Sequence, residues 1–297
     1  MMNLDKLLER LPSSRLIHGD DRHAYRDPAV ILKDGVFHIY MTMTEIEEDG
    51  AVYMYVAHTS TADLREFTPL RRLTVRDRHY NFSSPGNIIF HEGRYKMCLQ
   101  TYCRENGEKY GNERCRVYLM ESDDLVEWGE PYLLAVKGET PIEDMGRMID
   151  PYLIYDEEND LWNCFYKQDG ISRSVSRDLV HFTYVGRMDG GENVSVLKTE
   201  AGYRMFHSPD NGIGVKSSTD LTNWVDTGEL LTFGQSEWVW ARGRVTAGAI
   251  LEVDEGGERT YLMFFHGSGP QDEWVCFDHN ASIGVAWSRD LKHWSWK

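Results

Sequence analysis

No stretch of the 297-residue chain approaches the roughly 18 consecutive apolar residues that a membrane span requires. The opening MMNLDKLLERLPSSR also lacks the apolar core of an export signal, so a cytoplasmic protein without a membrane partner is expected. That opening reads instead as a short amphipathic helix, with Leu4, Leu7, Leu8 and Leu11 on one side, inside an N-terminal extension over residues 1–20. Cysteine is scarce: Cys98, Cys103, Cys115, Cys164 and Cys276 are odd in number and show no CxxC spacing, which argues against a zinc or dithiol redox site. Cys98, Cys164 and Cys276 lie in apolar runs (KMCLQ, WNCFY, WVCF) and read as reduced core residues. Basic residues are outnumbered, 32 against 48 acidic, for a net charge of -16. Nucleic acid is therefore excluded as a partner, because phosphate binding relies on accumulated Lys and Arg. A small neutral ligand fits better, although a local arginine cluster could hold an acidic one.

What is present is a repeat. Ser or Thr, any residue, Asp, Leu, two residues and then Phe or Trp recur as TADLREF, SDDLVEW, SRDLVHF, STDLTNW and SRDLKHW. The marker aspartates are Asp63, Asp124, Asp178, Asp220 and Asp290, separated by 61, 54, 42 and 70 residues. Units of this size, each with room for about four short strands, suit the blades of a β-propeller. Each unit has an apolar strand (AVIL, NIIF, YLIY, VSVL, GAIL), a turn, and a second strand rich in aromatics, before a third leads into the repeat. The fold class is therefore all-β: a single five-bladed propeller domain over 1–297, with four-stranded antiparallel blades around a central channel. The repeated Asp is assigned to capping the turn after the third strand, and the Phe or Trp to packing between blades.

The first strand of a propeller blade lines the channel, so differences among the five strand starts bear on function. They are RDPAVI with Asp27, SSPGNII with Ser84, MIDPYLI with Asp150, GENVSVL with Glu192 and RVTAGAIL with Thr246. Three converging acids repel one another and drive at least one pKa upward, which is costly for a scaffold. Cleavage of a glycosidic bond requires such a set: one carboxylic acid protonates the leaving oxygen, and a carboxylate activates water or attacks carbon.

These segments resemble glycoside hydrolase family 43 and related five-bladed clans such as families 32 and 117, over essentially the whole chain from Asp27 to SRDLKHW. The resemblance of RDPAVILKDGVFHIYMT implies general base for Asp27, that of IDPYLIYDEENDLWNCFY implies a pKa modulator for Asp150, and that of ENVSVLKTEAGYRMF implies general acid for Glu192. Asn193 and Val194 stand where that family has Gly-Pro, and the fifth blade start, ARGRVTAGAIL, offers no match to its histidine, leaving Arg242 or Arg244 as neighbours. The implied reaction is inverting hydrolysis of a terminal bond in a small oligosaccharide, with arabinofuranosidase or xylosidase specificity as the first expectation.

Substrate contacts are expected from Tyr25, Arg26, Phe82, Ser84, Arg147, His207, Trp240, Arg244 and His266, with His23 and Trp238 nearby, blade packing being the competing role for the aromatics. EWVWARGR and GSGPQDEWVCFDHN are long for propeller turns and are expected to wall a closed pocket, and no accessory domain is expected after the last repeat. No cofactor is required and no metal-ligand spacing is present, although a water-coordinated cation in the channel would leave none. Two other classes share the scaffold: a non-catalytic sugar-binding propeller, and a glycosyl-transferring or phosphorolytic enzyme, for which Arg26, Arg147 and Arg244 would form an anion cluster. Oligomeric state is not encoded in these patterns.

Overall fold

Alternating apolar residues bounded by Asp, Gly and Asn turns form five antiparallel sheets in the computed structural model, which describes residues 3–270 and 279–297. The first blade comprises His23–Lys33, Val36–Ile46, Val52–Thr61 and Arg71–Arg72. In the second, the inner strand is split into Phe82–Ser83 and Ile88–His91, followed by Arg94–Thr101, Val117–Ser122 and Tyr132–Leu133. The third runs Ile149–Asp156, Leu161–Lys167, Ile171–Ser176 and Phe182–Met188. Glu192–Thr199, Gly202–Ser208, Ile213–Ser218 and Val225–Leu231 make the fourth. The fifth contains Arg244–Glu255, Glu258–Ser268 and Ser282–Ser288. The fold is thus the five-bladed propeller that the repeat spacing predicts.

The N-terminal extension does more than the sequence indicates. Its strand Arg15–Ile17 pairs antiparallel with Ser282–Ser288, as does Trp294–Ser295, so both ends of the chain complete one blade. The amide of Ser14 donates to the carbonyl of Lys297 at 3.1 Å, and the amide of Lys297 donates to Ser14 Oγ at 2.9 Å. The predicted helix is Leu4–Glu9, capped by Asn3, whose side chain accepts from the Lys6 amide at 2.9 Å. Leu4, Leu7, Leu8 and Leu11 are buried against Phe37 and Ile39 of the first blade and Leu262 and Phe264 of the fifth.

Each repeat forms the same turn. The side-chain oxygen of Asp63, Asp124, Asp178, Asp220 and Asp290 accepts from the amides two and three residues later at 2.8–2.9 Å. The following Leu64, Leu125, Leu179, Leu221 and Leu291 take left-handed backbone angles, a conformation unfavourable for leucine that burial of its side chain offsets. The aromatic that ends the repeat packs toward the preceding blade. Trp128 meets Tyr40 edge-on at 5.5 Å, Trp224 meets Phe165 at 6.0 Å, and Phe182 joins Cys98, Val117 and Leu119 of the second blade. Cys98 and Cys164 are buried free thiols, as expected, whereas Cys276 and most of GSGPQDEWVCFDHN lie outside the described residues. Among the described residues no helix is long and apolar enough to cross a membrane.

Candidate active site

Four of the five inner strands bulge near their starts, and that of the second blade is interrupted at the corresponding place. Pairing with the second strand skips between Arg26 and Ala29, Ile149 and Tyr152, Glu192 and Ser195, and Thr246 and Ala249. In this register Asp27, Ser84, Asp150 and Asn193 are equivalent, and all four have left-handed φ, at 50°, 44°, 53° and 54°. Such angles cost of the order of 1–3 kcal/mol each and persist where the surroundings impose them. The strand starts therefore differ from the sequence alignment by one residue in the last two blades. Asn193, not Glu192, occupies the position of Asp27 and Asp150, and Glu192 occupies that of Arg26.

The bulges converge on a cavity of about 460 Å³. Arg26, Asp27, Arg147, Asp150, Glu192, Arg244 and His266 line it, together with Gln100, Tyr102, Tyr110, Ile149, Asn193, Asp210, Asn211 and Gly243. Asp27 accepts two hydrogen bonds, from Thr42 Oγ1 to Oδ2 and from Asn193 Nδ2 to Oδ1, both at 2.8 Å. Burial nonetheless holds its carboxyl above the usual range, the two donors opposing that shift. Asp150 is 6% exposed, with Ser84 Oγ donating to its Oδ1 at 2.7 Å and its amide donating to Gln100 Oε1 at 2.6 Å. Its carboxyl is pushed up to about 8, by burial first and then by the charges of Glu192 and Asp27, so at neutral pH this group carries a proton.

Glu192 is held at one end only. Arg244 Nη2 donates to its Oε1 at 2.6 Å, while Oε2 has no protein partner among the described residues. The chain just before it is fixed from behind: the amide of Gly191 donates to His207 Nδ1 at 3.0 Å, and a Cβ on Gly191 would lie 1.6 Å from the Ser208 carbonyl oxygen. His266 is 2% exposed, and burial followed by the charges of Arg26 and Arg244 keeps it neutral. The Asp27 amide donates to His266 Nδ1 at 3.2 Å, and Arg26 Nη1 lies 3.3 Å from its Nε2. The fifth blade thus brings a histidine to the cavity from its second strand rather than its first.

Several expected contacts lie elsewhere. Among the described residues, Tyr25 stacks on His23 at 6.5 Å and Phe82 on Tyr80 at 5.2 Å, while Trp240 stacks with Trp238 at 5.3 Å and Phe265 at 5.9 Å. None of these lines the cavity; they serve packing. Arg242 is exposed and also outside it. His207 and Ser84 stand behind the lining and position Glu192 and Asp150. The aromatics that do line it, Tyr102 and Tyr110, belong to the long connection between Arg94–Thr101 and Val117–Ser122, which the repeat grammar passes over. Its length, beside the tight turns of other blades, is the signal that could have found them. Of the two expected wall segments, EWVWARGR contributes Gly243 and Arg244.

No family model matches this sequence, and no curated protein does. Solved structures do. A GH43_1 enzyme from Xanthomonas citri, complexed with xylotriose, superposes with a TM-score of 0.62 at 12% identity, covering 98% of this chain and 95% of its own. A structure from the GH130 family of mannoside phosphorylases, described as containing glycoside hydrolases that target β-1,2 mannosidic linkages in Candida mannan, gives 0.64 at 12% identity, over 89% of this chain and 84% of its own. An exo-1,5-α-L-arabinanase from a bovine ruminal metagenomic library gives 0.58 at 15% identity, over 94% and 98%. At these identities the likeness shows a shared five-bladed fold, of the kind that carries glycoside hydrolases.

Proposed function

We propose that this protein hydrolyses a terminal glycosidic bond of a small oligosaccharide. The observation that carries this reading is that three carboxyl groups share one cavity but are held in three different ways. Two donors stabilise Asp27 as a carboxylate, Asp150 is buried and protonated at neutral pH, and Glu192 is anchored through one oxygen while the other has no partner among the described residues. Environments that differ so much separate acid from base roles.

In the proposed reaction Asp27 takes a proton from water, and the resulting hydroxide forms a bond to the anomeric carbon as the bond to the leaving oxygen breaks. Glu192 carries the proton on Oε2 in the reacting state and gives it to that oxygen. Asp150, whose own carboxyl is raised in part by the charge of Glu192, is the modulator: the two acids compete for one proton, and Asp150 becoming ionised keeps that proton on Glu192 in the reacting state. Attack on the face opposite the leaving group inverts the anomeric centre. The xylotriose complex and the arabinanase among the fold relatives support arabinofuranosides and xylosides as first substrates to try. A panel of aryl glycosides, assayed with wild type and with Glu192→Gln, tests the proposal. Binding without turnover would instead identify a sugar-binding module.

Phosphorolysis is a second reading, favoured by three arginines, Arg26, Arg147 and Arg244, on one cavity and by the fold likeness to the GH130 structure. Turnover that depends on phosphate and releases a sugar phosphate would select it.

A further inference from the structure

Among the charged groups of the cavity, Arg147 is distinguished by what its guanidinium lacks. Its Nε donates to the carbonyl of Gly111 at 2.9 Å, and its Cζ lies 5.7 Å from the centre of the Tyr102 ring. Its own amide donates to Glu113 Oε2 at 3.3 Å, and its carbonyl accepts from Gln168 Nε2 at 3.2 Å. The side chain is thus fixed at its root and half-buried, yet among the described residues neither terminal nitrogen has a hydrogen-bond partner. The three cavity acids are held by other side chains: Asp27 by Thr42 and Asn193, Asp150 by Ser84 through one oxygen, and Glu192 by Arg244 through one oxygen.

A planar guanidinium held by Nε and a ring face presents its two remaining nitrogens as a fork, the geometry that matches both oxygens of an oxyanion. Leaving such a group half desolvated and unpaired has a cost that a bound anion offsets. Because Arg147 lies only three residues before Asp150, an anion at the fork sits beside the proposed reaction centre.

We propose that Arg147 is a specificity-determining residue that receives an oxyanion of the substrate. Resting on the glycosidase reading, the site then takes a glycoside bearing a carboxylate, a uronoside, in preference to its neutral counterpart. Inorganic phosphate presents the same chemistry to the fork and is the alternative source. The protein's net charge of -16 disfavours anions at long range, so the preference arises locally.

Calorimetric titration in a Glu192→Gln background, where turnover is removed, separates this inference from hydrolysis. The probes are methyl glucuronoside and methyl galacturonoside, the matching neutral methyl glycosides, and inorganic phosphate. One uronoside is expected to bind about 10- to 100-fold more tightly than its neutral partner. Arg147→Met should bring that ratio close to one, and Arg147→Lys should retain part of it, with melting temperature as the control for folding. Phosphate affinity that depends on Arg147, with no uronoside preference, would support the fork and identify phosphate as its ligand. Acid-to-neutral ratios and phosphate affinity that are unchanged by Arg147→Met, or absence of binding by every probe, would overturn it. Binding that depends on Arg147 in a protein whose wild type hydrolyses no glycoside would leave this inference standing and remove the hydrolytic one.

Discussion

Asn193 of the fourth blade donates its side-chain amide to Asp27 Oδ1 of the first at 2.8 Å, although the two residues occupy the same bulge position of their respective strands. The bond crosses the channel mouth and stabilises the ionised form of the proposed base. In Asn193→Ala that stabilisation is lost, and the carboxyl rises further above its usual range. The acidic limb of kcat/KM against pH should therefore move to higher pH. A limb that stays in place would show that Asn193 does not tune Asp27.

Asp150 gives a prediction about stability. Its carboxyl sits at about 8 in the folded protein and near 4 when unfolded, so between these values the folded state binds the extra proton. Stability from this group must fall as pH rises from about 4 to about 8. Asp150→Asn removes the dependence, so its melting temperature relative to wild type should climb across that window, by about 2–4 °C for each kcal/mol gained. The same variant should lose most turnover. A difference in melting temperature that is flat with pH would contradict the buried protonated state.

His207 acts on Glu192 through the backbone. It is 3% exposed, burial pulls its ring down to about 4, and its Nδ1 accepts from the Gly191 amide. His207→Leu leaves that amide unpaired, at a cost of about 1–3 kcal/mol in stability. Turnover should fall about tenfold while KM changes little, because the acid rather than the sugar is displaced. A rise in KM with kcat preserved would show instead that His207 contacts substrate.

The N-terminal helix seals the join between the first and fifth blades. Leu8 is 3% exposed there, so Leu8→Ala should cost about 2–5 kcal/mol, read as a lower midpoint in urea. An unchanged midpoint would mean that the helix rests on the ring without stabilising it.

The blades are legible in the sequence because one turn recurs five times, and its chemistry is local: Asp63 and its counterparts need only the next three residues to form it. Asp27 and Asp150 are legible for a related reason, since each precedes a proline that marks the bulge. The fourth blade has no such landmark, and Asn193 precedes Val194. The strand start there is consequently misread by one residue, and the amide facing Asp27 is missed. Tyr102 and Tyr110 are hidden for another reason: their place depends on how the long connection of the second blade folds beside the cavity, which no local pattern records. The tryptophans mislead in the opposite direction, since aromatic residues serve blade packing as readily as sugar stacking.

Turnover of an aryl glycoside panel, with product anomers followed by NMR, tests the roles of Asp27 and Glu192 most directly. Hydrolysis by this trio predicts that at least one glycoside is cleaved with inversion, and that Asp27→Asn lowers kcat about 10²- to 10⁴-fold without unfolding the protein. Glu192→Gln should show a comparable loss that shrinks as the leaving group improves, because a good leaving group needs no proton. Wild-type turnover in either variant, or no cleavage of any glycoside by the wild-type protein, would contradict it.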